Sequence, residues 1–327
     1  MNYQEPDYPE GGVTGGLEDY VLPFHVEKAG AKGRLVRMGP ALDAILSQHA
    51  YPEPVSALLG EAVALTALLG STLKYEGKLI IQTNCEGPVS FLVVHYDQPG
   101  RMRGYANFDA GALEAAAERG PAALLGEGHL AMTIDPGTGK ERYQGVVAIS
   151  DTTLAGAALG YFAQSEQIPT FLRIAVARHY VGGGLAKPNG KLGGVKPGAW
   201  SWRAGGLIVQ KLPGEGQSRL DASDQEDWLR AEALASTVED HELLDPTLSA
   251  ERLLYRLFHE ERVRAFRARP LEARCQCSKE RVTELLRSFS REEIEDMIED
   301  GAITVTCEFC SSRYQFSPEE FLGPDKE

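Results

Sequence analysis

Hydrophobic and polar positions alternate, cluster and thin out along this chain in a way that divides it into four parts. Residues 1–18 are acidic and glycine-rich and carry no periodic apolar pattern, so they predict a disordered tail. Residues 19–220 read as a strand-rich core domain. Asp19–Glu27 and Arg34–Met38 are strand-like around the turn Ala29-Gly30-Ala31-Lys32-Gly33, and Pro40–Gln48 reads as a short helix. Val55 to about Leu73 is apolar nearly all round, as expected of a helix buried against a sheet. Strand patterns follow at Leu79–Thr83, Val89–Tyr96, Met102–Asn107, Leu130–Ile134 and Tyr143–Ser150. Asp135-Pro136-Gly137-Thr138-Gly139 marks a turn. A helix over Thr152–Gln167, a strand over Pro169–Arg178 and a strand over Gly205–Leu212 close the block. Mixed strands joined by hairpins, with few helices, predict an α+β core.

The pattern changes near Asp221. From there to Arg269, 19 of 49 residues are charged, yet apolar residues persist at helical spacing: Leu229, Leu234, Val238, then Leu253, Leu254, Leu257, Phe258, Val263 and Phe266. Residues 221–270 therefore predict a charged helical linker with apolar stripes, able to dock on a domain without being committed to it. Residues 271–327 form a small C-terminal unit. Val282, Leu285, Leu286 and Phe289 fit one face of a helix. Ser290-Arg291-Glu292-Glu293 is a capping box opening a second helix that carries Ile294, Met297 and Ile298 and stops at Gly301. Ile303–Thr306 is a short strand.

The candidate chemistry lies in that unit. Four of the five cysteines form two close pairs, Cys275-x-Cys277 and Cys307-x-x-Cys310, separated by 29 residues. Two such pairs can place four sulfurs on a tetrahedron, a donor set that selects zinc and leaves no position open for catalysis. Spacing alone favours an inert zinc staple. The alternative is a redox-sensitive zinc switch, because paired thiolates are what an oxidant attacks. The unit offers few apolar anchors, so zinc would supply much of its folding free energy, and losing zinc should unfold it. Cys85, at a strand end, reads as a buried apolar thiol.

Composition narrows the function classes. A net charge of −14, from 47 acids against 33 bases, argues against nucleic acid and anionic membranes as partners. No apolar run reads as a membrane span, since Val55–Leu73 is broken by Ser56, Glu61 and Thr66, and no secretory signal is recognisable. Clustered cysteines without such a signal predict the cytoplasm. The glycines at 182–184 and 193–198 match no phosphate-binding spacing and read as loops. No Ser-His-Asp, paired-carboxylate or His-metal signature is present, so the chain does not read as an enzyme. An active site in the core beside a structural zinc, and a zinc-ribbon nucleic-acid module, are the competing classes. The acid-rich stretch Glu292–Asp300 counts against the second.

Three stretches carry a family resemblance: Cys275-Gln276-Cys277-Ser278-Lys279-Glu280-Arg281, the linker segment Leu253-Leu254-Tyr255-Arg256-Leu257-Phe258-His259-Glu260-Glu261, and Cys307-Glu308-Phe309-Cys310 followed by Tyr314 and Phe316. Gly205 and Gly206 before Leu207-Ile208-Val209 add to it. With these features the chain resembles the bacterial 33-kDa heat-shock protein family, the redox-regulated holdase chaperones, over everything after the tail. The resemblance implies that Cys275, Cys277, Cys307 and Cys310 bind one zinc ion per chain in a reduced, inactive state. It implies that oxidation forms Cys275–Cys277 and Cys307–Cys310 disulfides, that zinc leaves, and that the linker unfolds. It further implies an oxidised homodimer that holds unfolding client proteins without ATP during oxidative stress. It shifts the balance from the staple to the switch and assigns no client-binding residues.

Overall fold

The computed structural model describes residues 14, 17–73, 77–118, 120–137, 140–150, 152–182, 198–212 and 222–322. The expected tail therefore lies almost wholly outside the described residues. So do most of the two glycine-rich stretches and the end of the Asp135–Gly139 turn. The fold is α+β, as expected. Two units are distinguished: residues 51–273 with the N-terminal segment up to Ser47, and residues 274–327 with the short piece 48–50.

In the first unit the chain runs β1 (Tyr20–Val26), β2 (Ala31–Met38), α1 (Pro40–Leu46), α2 (Glu53–Gly70), β3 (Lys78–Cys85), β4 (Phe91–Asp97) and β5 (Arg101–Asn107). It continues through α3 (Ala110–Ala117), α4 (Pro121–Leu125), β6 (Gly128–Asp135), β7 (Tyr143–Ile149), α5 (Leu154–Tyr161), β8 (Thr170–Val181) and β9 (Ala199–Lys211). Helices α3 and α4 are not foreseen by the apolar periodicity, being short and alanine-rich. The helix expected over Thr152–Gln167 is α5 followed by a π-helical turn over Phe162–Glu166. Strand β9 starts at Ala199, six residues before its expected start at Gly205, and pairs with β8 along its length.

Then come α6 (Ala222–Ser236), α7 (Asp240–Leu244), α8 (Ala250–Phe258), β10 (Val263–Ala265), β11 (Arg269–Pro270) and β12 (Glu272–Ala273). Among the described residues these strands build two six-stranded sheets. The first has the order β10-β1-β2-β9-β8 with β11 on β1, and the second β12-β5-β4-β3-β6-β7.

Helix α2 is packed between the sheets. Its buried Val55, Leu59, Val63 and Leu68 share one core with Val36 and Ile208 of the first sheet and Ile81, Val94 and Leu130 of the second. This helix has the length and composition of a membrane span, contrary to the sequence reading, but 72% of it is buried inside the protein. A core helix passes the same test, and burial on all sides accounts for its all-round apolarity. Cys85 is buried at the end of β3, and burial pushes its thiol pKa up.

The other face of the first sheet carries the linker. Period-two alternation puts Tyr20, Leu22, Phe24 and Val26 of β1 on this face, with Leu35, Leu207, Val209 and Ala175 beside them. Against it pack Trp228, Ala231, Ala235, Val238, Leu243, Leu253, Leu254, Leu257 and Phe258, all buried. The charged segment is thus docked along its length. The stripe of α6 differs from expectation in phase: Trp228 is 4% exposed, whereas Leu229 points outward at 53%. Between the two expected helical runs lies α7, opened by a Glu239/Glu242 capping box.

The second unit contains α9 (Lys279–Leu286), α10 (Arg291–Asp296), β13 (Ile298–Glu299), β14 (Ala302–Thr306), β15 (Arg313–Phe316) and α11 (Glu319–Leu322), with the sheet order β13-β14-β15. The Ser290/Glu293 capping box forms. Two expectations are corrected. Helix α9 buries Leu286 but turns the adjacent Leu285 outward, and Phe289 lies beyond its last helical residue, Leu286, and is exposed. Gly301 does not stop a helix. With Asp300 it makes a two-residue hairpin turn, both at positive φ (50° and 78°), joining β13 to β14.

Candidate metal centre

The four cysteines are carried by loops at the ends of these short elements. Cys275 and Cys277 precede α9, whose first turn is capped by the Ser278 side chain accepting from Arg281 N. Cys307 follows β14, and Cys310 lies in the tight turn before β15. That turn is closed by Ser311 N donating to Cys307 O (2.8 Å) and Cys307 N donating to Ser312 O (2.9 Å). The hairpin register Thr306 to Arg313 brings both ends of the knuckle together.

The sulfurs converge. Cys275 Sγ lies 3.7 Å from Cys307 Sγ, and Cys277 Sγ lies 3.3 Å from Cys310 Sγ. All four lie within 4.8 Å of one another. A tetrahedral zinc site with metal–sulfur bonds of about 2.3 Å has sulfur–sulfur edges of about 3.8 Å, so the cluster has the size that zinc requires. The donor set, four half-buried thiols without a carboxylate or imidazole, is that of a closed structural site. Among the described residues this is the one group of three or more metal-ligating side chains within such reach.

Neighbouring groups set the state of the sulfurs. Tyr314 on β15 donates its hydroxyl to Cys277 Sγ (3.2 Å), and Cys310 Sγ lies 3.3 Å from Ser312 Oγ. Burial pushes the Cys277 thiol pKa up to about 12, with the Tyr314 hydrogen bond acting against it. Burial also raises that of Cys307. At Cys310 burial acts in the same direction, but hydrogen bonds from the Ser312 side chain and backbone outweigh it and bring the pKa to about 7. Cysteine spacing does not reveal Tyr314 and Ser312 as groups touching sulfur; the sequence signal for them is their position in the knuckle and in the strand leaving it.

A structural comparison supports the fold: a crystal structure of a 33 kDa chaperonin, a heat shock protein 33 homolog from Thermotoga maritima, superposes with a TM-score of 0.71 at 24% identity, covering 93% of this chain and 96% of that one. In sequence, a 33 kDa chaperonin of Caulobacter vibrioides is 45% identical over 310 residues, spanning 93% of this chain and 97% of that protein. A 33 kDa chaperonin of Shewanella woodyi is 37% identical over 300 residues, spanning 91% and 93%. The Hsp33 protein family model matches residues 19–317, from the start of β1 to just past β15. The chain therefore belongs to the Hsp33 family, and its function is that of a chaperone rather than an enzyme.

Proposed function

We propose that this chaperone is a redox-switched, ATP-independent holdase of the cytoplasm, resting when reduced and zinc-bound. Cys275, Cys277, Cys307 and Cys310 would hold one zinc ion as thiolates, and the ion supplies a cross-link between the two ends of the C-terminal unit. One observation carries the reading. These four sulfurs are gathered in a unit whose buried apolar set, among the described residues, is Leu286, Ile294, Ile303 and Phe316. A core of four side chains does not hold some 50 residues without a staple.

Oxidation removes the staple. Two thiolates and one hypochlorous acid give one disulfide, chloride and hydroxide, and each disulfide uses up two ligand sulfurs. The expected products are Cys275–Cys277 and Cys307–Cys310. The C-terminal unit then unfolds and becomes a loose chain attached to β12. The strands next to it, β12, β11 and β10, are only two, two and three residues long. Fraying can pass through them to α8, after which α6–α8 leave the first sheet. The face bearing Tyr20, Leu22, Phe24, Leu35, Leu207 and Val209 is then open. Apolar surface of that extent binds unfolding proteins and favours a homodimer.

The test is light scattering from a heat-unfolding client, without ATP, for zinc-loaded reduced protein and for protein oxidised by hypochlorous acid. Suppression only after oxidation supports the switch. Equal suppression in both states leaves a chaperone without a switch, and none in either removes the holdase reading.

A further inference from the structure

Arg37 on β2 and Gly205 on β9 are register partners in the row of the covered face that also holds Tyr20 and Ala175. Arg37 is 4% exposed, yet the acceptors of its hydrogen bonds are main-chain oxygens: Nη2 donates to Glu242 O at 2.8 Å, and Nη1 donates to Asp245 O. Its Nε has no hydrogen-bond partner. Gly205 complements it. A Cβ there would lie 2.2 Å from Leu243 O and 2.7 Å from Leu243 C, so a hydrogen at this position is what admits the backbone of α7.

The surroundings are apolar: Leu35, Ala175, Leu207 and the ring of Tyr20. Of the charged groups acting on Arg37, Asp245 and Glu251 belong to the linker and would leave with it, while Arg203 belongs to the sheet. The ion pairs of α7, Arg173–Asp240 at 2.8 Å and Arg256 with Glu242, involve more exposed arginines. At its centre, then, the seat reads carbonyl oxygens and a close backbone, features that every polypeptide has.

We propose that Arg37 and Gly205 form a main-chain binding seat, filled by Glu242–Asp245 here and by the backbone of an unfolded client once the linker has left. This deepens the holdase reading and rests on its linker release. With the linker gone, Arg37 loses both carbonyls and the nearby carboxylates, and its charged donors face solvent, where the carbonyls of an incoming chain can take the place of water. An unfolded chain brings unpaired carbonyls whatever its sequence, so recognition through them would be sequence-tolerant.

The experiment uses the full-length oxidised protein and a fluorescent, carboxymethylated, permanently unfolded polypeptide, with the dissociation constant read by anisotropy. The variants are Arg37→Met, Arg37→Lys and Gly205→Ala. The first loses charged donors and should bind about tenfold or more weakly, since hydrogen bonds to charged groups are each worth roughly that factor. Arg37→Lys should recover part of the loss. Gly205→Ala changes no charge but should also weaken binding, and it keeps the test decisive if Arg37→Met folds poorly. In the reduced state, Arg37→Met should raise hydrogen exchange over residues 239–245. Wild-type affinity in both Arg37→Met and Gly205→Ala, with the oxidation-dependent gain intact, overturns the seat. Absence of that gain in the wild type instead overturns the switch on which the seat rests.

Discussion

Phe258→Ala should release the linker without an oxidant. Phe258 is fully buried at the end of α8 and stacks on Phe24 of β1, with ring centroids 5.8 Å apart and planes 29° from parallel. Truncating a buried phenylalanine to alanine costs about 3–5 kcal/mol. At about 1.4 kcal/mol per decade, that moves the docked–undocked equilibrium of α6–α8 by roughly a hundred- to a few-thousandfold. Whole domains have only about 5–15 kcal/mol of stability, so one segment of a domain cannot absorb this easily. The rest of the first unit should remain folded, because α2 packs between the sheets on the other face of the first one. Hydrogen exchange of the reduced, zinc-loaded variant should rise over residues 222–265 and stay low in β3, β4 and β6. Zinc content should be unchanged, since Phe258 lies in the first unit and all four cysteines lie in the second. Light scattering should then show client protection in the reduced state. Wild-type protection of α6–α8 would refute the assignment of Phe258 as a main hold on the linker. Released helices without client protection would refute the first sheet's covered face as client-binding surface. Leu285→Ala, at a side chain 55% exposed, is the control and should change stability by no more than about 0.5 kcal/mol.

Two further outcomes concern the metal centre. Peptide mapping of the oxidised protein should find Cys275–Cys277 and Cys307–Cys310, although Cys275–Cys307 and Cys277–Cys310 are also close, at 3.7 and 3.3 Å between sulfurs. Recovery of the latter two linkages would mean that the disulfides close before the unit opens and would reject the assigned pairing. Tyr314→Phe removes the hydroxyl that donates to Cys277 Sγ. By analogy with other groups that hydrogen-bond to metal ligands, it should weaken zinc binding about 10- to 100-fold in a chelator competition, and an unchanged affinity would assign that hydrogen bond no part in holding the ligand.

Features written within a few residues of one another were legible in the chain. The two cysteine pairs, the Ser290/Glu293 capping box and the all-round apolar α2 depend on local spacing, and each stands where the pattern placed it. Local pattern also misled where a second element decides the outcome. Asp300-Gly301 suits a helix stop and a hairpin turn equally, and the pairing of β13 with β14 selects the turn. Leu229 and Trp228 are adjacent apolar residues on one helix. Which of them is buried depends on the rotation of α6 against the first sheet, and that is fixed by side chains of β1, β2, β8 and β9. The seat of α7 is the extreme case. Arg37 and the carbonyls it holds are separated by 205 and 208 positions, and Gly205 serves a backbone 38 residues further on. Hydrogen bonds to main-chain oxygen leave no mark in the acceptor's side chain. The sequence by itself thus determined the four-cysteine donor set and the charged, stripe-bearing linker, because both depend on short spacings. Only the tertiary structure decided where that linker lies and what holds it, because those contacts join side chains to backbone across most of the chain.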